Sequence, residues 1–448
     1  MPNTNKIKQN EFKIESNEPN SFNLPKKGFD KIAVVGLGYI GLPTAAVFAS
    51  RKIEVVGIDV SEHAVTTINR GEIHITEPDL DLAVRSVVSE GYLSASLTPK
   101  SADAFMIAVP TPFKSNLEGM KIPDLSFIEA ASRTVAAVLK AGDLVVLEST
   151  SPVGATERMA EWLAEERPDL TFPQTHGADS DIRIAHCPER VLPGHVLREL
   201  VENDRVIGGM TPACSQRAVE LYKLVVQGEC IVTDTRTAEM AKLTENSFRD
   251  VNIAFANELS VICDKLDINV WELTSLANRH PRVSILQPGP GVGGHCIAVD
   301  PWFIVATNPK EANIIKTARE TNDAKPGWVV SKVEKSAKIQ QLLKDEKVKV
   351  ACFGLSFKPD IDDLRESPAL QIVDSLIENA NLDVFTVEPN IHELPSKFVG
   401  KTTLVSADVA IKEADILVML VDHKQFREID VELLKTKVVI DTRGIWTN

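Results

Sequence analysis

The segment KIAVVGLGYIGLPTAAVFA, Lys31 to Ala49, limits the fold more than any other stretch of the chain. An apolar, β-branched run is followed by a glycine turn and then by residues of helical character. A second apolar run, IEVVGID, ends on Asp59. Gly36, Gly38 and Gly41 form GxGxxG, and Asp59 lies 18 residues after Gly41. Strand, tight turn, helix and a second strand ending in an acid make up the nucleotide-binding half of a doubly wound α/β domain. There the glycines let the backbone approach a pyrophosphate, the helix N-terminus supplies positive potential, and the acid accepts hydrogen bonds from ribose hydroxyls. A glycine turn between strand and helix is common by itself, but the flanking strand, helix and acid favour the dinucleotide reading. Asp59 repels a ribose phosphate and neither Val60 nor Ser61 supplies a compensating cation, so NAD is favoured over NADP.

The rest of the chain alternates in the same way, then stops, then resumes. KIAVVG, EVVGID, AFMIAV, LVVLES, IRIAH and ECIVT read as strands of a mostly parallel sheet. From Asp234 to about Asn308 strand patterns vanish, and TAEMAKLTENSFRDVNIAFANELSVICDKL carries apolar residues at helical spacing over nearly thirty residues. A further helical run spans about Lys310 to Leu343, with a break expected near Pro326. KVACFGL, DVFTVEP, DILVMLV and KVVIDT then restore the strand pattern. The expected fold is α/β: two Rossmann-like parallel-sheet domains joined by a central helical dimerisation segment. The expected boundaries are a polar, disordered or non-native tail over 1–30, an NAD-binding domain over 31–233, a helical domain over 234–345 and a second α/β domain over 346–448. An active site is expected in the cleft between the α/β domains, with the helices as its floor.

A chain of 448 residues needs more than one core. Its formal net charge of −14 argues against a nucleic-acid or anionic-membrane partner. No run of 18 apolar residues is present, and Met1 to Asp30 lacks the hydrophobic segment of a signal peptide. The six cysteines, at 187, 214, 230, 263, 296 and 352, include no CxxC. They read as reduced thiols of the cytoplasm, with neither disulfide nor metal site.

One of them stands apart. GPGVGGHCIAVDPWF, Gly289 to Phe303, places Cys296 after four glycines in six residues, beside His295 and four residues before Asp300. A buried structural thiol is the commoner fate of a cysteine, yet the glycines with Pro288, Pro290 and Pro301 argue against a core helix or strand. The reading is a nucleophile, with a pKa expected to be lowered by nearby cations. Lys242 and Asn246 lie four apart and share a helix face, with Arg249 on the adjacent turn. The pair is either a solvated surface feature or part of a donor cluster for an oxyanion or phosphate. Glu189 and Arg190 sit between prolines in CPERVLPG, as a site in a rigid loop or an exposed turn. Lys358, Arg365 and Arg443 follow strand patterns and suit the phosphates of a nucleotide ligand.

GLGYIGLP, AVPTP, LESTSPVG, CPERVLPG, EMAKLTENSF, NRHPRV, GPGVGGHC and FKPDIDDLRES, in this order, resemble the UDP-glucose/GDP-mannose dehydrogenase family from Lys31 to the C-terminus. The resemblance implies oxidation of a primary alcohol to a carboxylate through a thiohemiacetal and thioester on Cys296, using two NAD per sugar. It implies that Lys242 exchanges protons with the reacting oxygen, that Asn246 is its oxyanion partner, and that Asp300 handles the thiol proton or the hydrolytic water. Thr150 falls near the reacting water, and Glu189 is counted with this catalytic set. Tyr39, Ile40, Asp59, Thr111, Thr150 and Arg365 fall at NAD contacts. Arg190, Val191, Lys242, Asn246, Arg249, His280, Arg282, Gly293, Phe357, Lys358 and Arg443 fall at positions that hold the nucleotide sugar. A homodimer is implied, in which Arg282 or its neighbours reach the partner's site. CPERVLPG together with GPGVGGHCIAVDPWFIV resembles the branch that oxidises UDP-N-acetyl-D-mannosamine for surface polysaccharide such as enterobacterial common antigen. UDP-N-acetylglucosamine and UDP-glucose are the alternative substrates, and a single-step hydroxy-acid dehydrogenase or a non-enzymatic dinucleotide sensor the alternative classes. The chain departs from the UDP-glucose enzymes at Pro193, where they carry a second glutamate, at His295 and at Val299. These departures leave the water-activating residue open.

Overall fold

The computed structural model describes residues 28–116, 119, 121–192, 194–294, 296–343 and 346–446. The N-terminal tail up to residue 27, Pro193 and His295 lie outside the described residues. Strand β1 (Lys31–Val35) and helix α1 (Gly41–Ala49) begin an eight-stranded sheet. Its other strands are β2 (Glu54–Ile58), β3 (Leu93–Ser96), β4 (Ala104–Ile107), β7 (Leu144–Leu147), β8 (Arg183–His186), β9 (Arg205–Gly209) and β10 (Cys230–Asp234). A hairpin of β5 (Phe113–Ser115) and β6 (Lys121–Pro123) stands off the sheet. The order β10-β9-β8-β7-β4-β1-β2-β3 is parallel throughout except between β8 and β9. Strands buried on both faces, such as β4 with Ala104, Phe105, Met106 and Ile107 all fully buried, need apolar residues at every position. That is why they read as continuous apolar runs.

The chain then turns helical. Asp234 caps α2 (Thr235–Leu266) by accepting from Thr237 N–H at 2.9 Å, and Asp267, at φ 56°, ends it in the left-handed region. Helices α3 (Val270–Ala277), α4 (Asp300–Thr307) and α5 (Asn313–Gln341) complete the middle of the chain. Contrary to the break expected there, α5 runs through Pro326. Pro326 forfeits one helical bond, but its buried position between the flanking Asn322 and Val329 keeps the helix packed on its neighbours.

A five-stranded parallel sheet, ordered β13-β12-β11-β14-β15, closes the chain. It comprises β11 (Val348–Phe353), β12 (Leu382–Val387), β13 (Thr403–Leu404), β14 (Ile416–Met419) and β15 (Val438–Asp441), with α6 (Pro368–Ile377) on one face. The two α/β domains repeat one clasp. Gly36 N–H donates to Ile58 O at 2.8 Å, and Asp59 Oδ2 accepts from Leu37 N–H at 2.8 Å. Gly354 N–H donates to Val387 O at 2.8 Å, and Glu388 Oε2 accepts from Leu355 N–H at 2.7 Å. In the second domain the acid has another partner: fully buried His423, whose Nε2 lies 3.0 Å from Glu388 Oε2.

Candidate active site

The site gathers where the first sheet's carboxyl edge meets the helices. Gly36 turns at φ +89°, and a Cβ on Gly41 would stand 1.7 Å from Gly36 O, so the turn and α1 pack this closely only with glycine there. Around Gly38 no atom lies within 4 Å of where a Cβ would be, which leaves room for a ligand at the N-terminus of α1. Tyr39 and Ile40 complete the turn. Asp59 is half-buried, its Oδ1 accepting from Ser61 N–H at 2.8 Å. The Thr111 hydroxyl, beyond β4, is buried with no hydrogen-bond partner among the described residues. Thr150 follows β7 and is half-buried. An open turn, an acid and an orphaned hydroxyl fit a dinucleotide laid along this edge.

The helices supply the second wall. Lys242 is buried on α2, its Nζ 3.7 Å from Oε2 of Glu189, which β8 delivers through the CPER loop. Glu189 Oε1 accepts from Val191 N–H, a contact that fixes the carboxylate toward the lysine. One turn along α2, Asn246 Nδ2 donates to Asp300 Oδ2 at 2.5 Å. An amide nitrogen has two N–H groups, so a second stays available for a reacting oxygen. The carbonyl of Cys296 accepts from Asp300 N–H at 2.8 Å and from Val299 N–H at 3.0 Å, which seats the thiol immediately before α4. Cys296 is exposed, Cys230 is half-buried, and Cys187, Cys214, Cys263 and Cys352 are buried.

Electrostatics overturn one expectation. The Cys296 thiol is not lowered but pushed up to about 12. The residue is accessible from the cleft, yet protein crowds its sulfur; burial acts first, the Asp300 and Glu189 carboxyls add to it, and Lys242 and Arg365 offset it incompletely. Asp300 is raised to about 7, again by burial first, against the Asn246 hydrogen bond and Lys242. At rest Cys296 is therefore a neutral thiol. Alkylation of Cys296 by iodoacetamide is expected to climb about tenfold per pH unit from pH 7 to 10, since only the thiolate reacts. A rate that levels off below pH 9 would contradict the raised pKa.

The last strands and loops bring a third wall. Arg365 is held by Asp363, with Nε 2.8 Å from Oδ1 and Nη2 2.6 Å from Oδ2, and its guanidinium stacks 4.9 Å from the Tyr39 ring. The dinucleotide turn and the second α/β domain thus meet directly. A Cβ on Gly293 would lie 2.4 Å from Glu366 O and 3.0 Å from the Phe357 side chain, so the cysteine loop runs flush against the FKPD segment. Lys358 is half-buried there, and its carbonyl accepts from Ser356 Oγ at 2.7 Å. Arg443 reaches the start of the same loop at Gly289 and is braced by Asp422 at 2.8 Å.

Several expected ligand residues have other partners or stand exposed within one chain. Arg190 pairs with Glu245 at 2.9 Å and donates to Asp204 O at 3.2 Å. Arg249 is exposed on α2, unlike buried Lys242. His280 and Arg282 are exposed on the turn after α3, where His280 Nδ1 accepts from Arg282 N–H at 3.3 Å. The sequence reasoning also passed over Asp250, Asn257, Arg319 and Asn322, buried polar residues under the cysteine loop. Their signal was polar residues on the inward faces of two long helices.

Comparison with known proteins agrees with this layout. Residues 30–226 match the NAD binding domain of the UDP-glucose/GDP-mannose dehydrogenase family, 236–324 its central domain and 351–448 its UDP binding domain. The chain is 64% identical over 419 residues to an NDP-N-acetyl-D-galactosaminuronic acid dehydrogenase of Ralstonia nicotianae, covering 94% of this chain and 97% of that one. It is 62% identical over 422 residues to the UDP-N-acetyl-D-mannosamine dehydrogenase of Escherichia coli K12, covering 93% and 99%. The solved UDP-D-ManNAc dehydrogenase of Pyrococcus horikoshii superposes with a TM-score of 0.82 at 38% identity, over 93% of this chain and 96% of that one.

Proposed function

The chain belongs to the UDP-glucose/GDP-mannose dehydrogenase family, whose members oxidise nucleotide sugars with NAD, and from that premise we propose that it oxidises UDP-N-acetyl-D-mannosamine at C6 to UDP-N-acetyl-D-mannosaminuronate, by way of covalent intermediates on Cys296. The observation that carries this reading is the convergence of Cys296, Asp300, Asn246, Lys242 and Glu189 beside the dinucleotide turn. NAD, held by the Gly36 turn, Asp59 and Thr111, supplies the hydride acceptor for both oxidations. Lys242 and the second N–H of Asn246 bear the proton and the charge of the reacting oxygen. Once the alcohol is an aldehyde, the sulfur of Cys296 adds to its carbon, and the thiol proton ends on the oxygen. Oxidation of that thiohemiacetal leaves a thioester, and water releases the carboxylate and restores the thiol. Asp300, titrating near 7, handles the proton of the thiol or of that water.

The test is the yield of NADH per sugar consumed, on a panel of UDP-N-acetyl-D-mannosamine, UDP-N-acetyl-D-glucosamine, UDP-N-acetyl-D-galactosamine and UDP-glucose. The galacto sugar is included because the name of the Ralstonia relative points to it. Two NADH per sugar with preference for the manno epimer supports the proposal; one NADH, or a different preferred sugar, removes the corresponding part. The product suits surface polysaccharide such as enterobacterial common antigen, and the six free thiols suit the reducing cytoplasm.

Replacing Asp59 by alanine is expected to raise the KM for NAD about tenfold or more, from the lost charged hydrogen bonds to ribose. It should also relax the rejection of NADP. Wild-type enzyme equally efficient with both cofactors would refute the role of Asp59.

Assembly as a homodimer is part of the same reading. Phe248, Phe255 and Ile262, seven residues apart along α2, are 70%, 52% and 44% exposed, an apolar stripe that a second copy of the helix would cover. Sedimentation is expected to give twice the 49.1 kDa of one chain. Phe255→Glu is expected to weaken the dimer at least about tenfold. A stable, active monomer at micromolar concentration would defeat this expectation. In the dimer, His280 and Arg282 would serve the partner's nucleotide-sugar site.

A further inference from the structure

Beneath the cysteine loop lies a set of polar side chains that the chemistry above does not touch. Asp250 and Asn257 come from α2, Arg319 and Asn322 from α5, and each is at most 1% exposed. They form one network. Arg319 Nη1 donates to Asp250 Oδ1 at 2.5 Å, Asn322 Nδ2 donates to the same oxygen at 2.8 Å, and Asn257 Nδ2 donates to Asn322 Oδ1 at 2.8 Å. Two further contacts end on the backbone of the loop itself. Asn257 Oδ1 accepts from Gly289 N–H at 2.8 Å, where the loop begins. Arg319 Nη1 donates to Ile297 O at 3.3 Å, one residue past Cys296. At its outer end Arg319 also donates to Asp323, which meets Lys121 of the β5–β6 hairpin at 3.3 Å.

Apolar residues would join two helices at least as firmly as buried charges do. What apolar residues cannot do is hold an amide and a carbonyl of the loop in place, as Asn257 Oδ1 does at Gly289 and Arg319 Nη1 does at Ile297, although Asp250 Oδ2 and Arg319 Nε themselves have no hydrogen-bond partner among the described residues. The loop needs such anchoring, because Gly289, Gly291, Gly293 and Gly294 leave its backbone many conformations. We propose that Arg319, Asp250, Asn257 and Asn322 are positioning residues that pin both ends of the 289–297 loop and so set where the Cys296 sulfur meets the reacting carbon. A misplacement of about 1 Å slows a positioned reaction about a hundredfold. The inference rests on the thiol reading above, in which only oxidation of the aldehyde needs the sulfur.

Arg319→Lys keeps the charge but cannot reach Asp250, Asp323 and Ile297 O together. Two half-reactions of the full-length enzyme are compared: reduction of the nucleotide-sugar 6-aldehyde by NADH, which needs no thiol, and oxidation of that aldehyde by NAD, which does. The expected result is a fall of about tenfold or more in kcat for aldehyde oxidation. Aldehyde reduction and the KM for the sugar are expected to stay within about twofold. Asn257→Ala removes the acceptor of Gly289 N–H yet leaves the Arg319–Asp250 pair, so it carries the test should Arg319→Lys not fold; about fivefold is expected, in the same half-reaction. Parallel losses in both half-reactions, or unimpaired aldehyde oxidation in a folded variant, overturn the inference. Cys296→Ala is assayed alongside. If it oxidises the aldehyde normally the thiol reading itself is wrong; if it is inactive while the two positioning variants are unimpaired, only the positioning role is lost.

Discussion

Cys296→Ala is expected to lose conversion of the nucleotide-sugar alcohol to the carboxylate by at least about a thousandfold, the scale on which removal of a nucleophile acts. Slow interconversion of alcohol and aldehyde is expected to persist, because in the proposed mechanism the first oxidation calls on Lys242, Asn246 and the cofactor but not on sulfur. An aldehyde cannot give up a second hydride until a nucleophile has made its carbon tetrahedral. Cys296→Ser offers an oxygen in place of sulfur and is expected to stall as an ester, since an alkoxide leaves less readily than a thiolate. Mass spectrometry of the serine variant after incubation with substrate would display the adduct. Formation of the uronate at a normal rate by Cys296→Ala, with two NADH per sugar, would end the covalent mechanism.

Lys242→Ala is expected to slow both oxidations, in contrast to the cysteine variant. The loss should be on the order of a hundredfold to ten-thousandfold, the range for a positioned proton-transfer group. Removing the ammonium also leaves the Glu189 carboxylate, 3.7 Å away and buried, without its cation. Its negative potential would then oppose the charge that develops on the reacting oxygen in each step. Lys242→Arg keeps the charge while displacing it, and separates the two contributions if it recovers the Km for the sugar without recovering kcat. Loss confined to aldehyde oxidation would assign Lys242 to the thiol chemistry alone.

Local features were the legible ones. The GxGxxG turn, Asp59 beyond the second strand, the Lys242–Asn246 pair and the glycine-flanked Cys296 each occupy a few neighbouring residues, whose spacing maps directly onto a turn or a helix face. Strands β3, LSAS, and β9, RVIGG, escaped notice because serine and glycine break the apolar pattern that marks a buried strand. Pro326 misled for the opposite reason: its local rule is sound, but tertiary packing of α5 outweighs one missing hydrogen bond. The direction of the Cys296 pKa was out of reach. It depends on Glu189 and Asp300 crowding one sulfur, and on how far burial outweighs Lys242 and Arg365, none of which has a trace in residue spacing. The pairing of Asp250 with Arg319 spans 69 positions and lay beyond any local pattern.

The clasp shared by the two α/β domains has a bearing on the order of events. In the first domain the half-buried carboxylate of Asp59 closes the turn by accepting from the backbone N–H groups of Leu37 and Ser61, its hydrogen-bond donors among the described residues. In the second, Glu388 is already engaged by the buried imidazole of His423, whose Nε2 stands 3.0 Å from its Oε2. Among the described residues the open clasp of the first domain is thus not repeated in the second. Under the proposed four-electron reaction that clasp would be used twice per sugar, so a spent cofactor would have to vacate and a fresh one dock while the half-oxidised sugar waits beside the loop that Phe357 and Arg443 flank. Free aldehyde released between the two steps would then show that the sugar does not keep its place during that exchange.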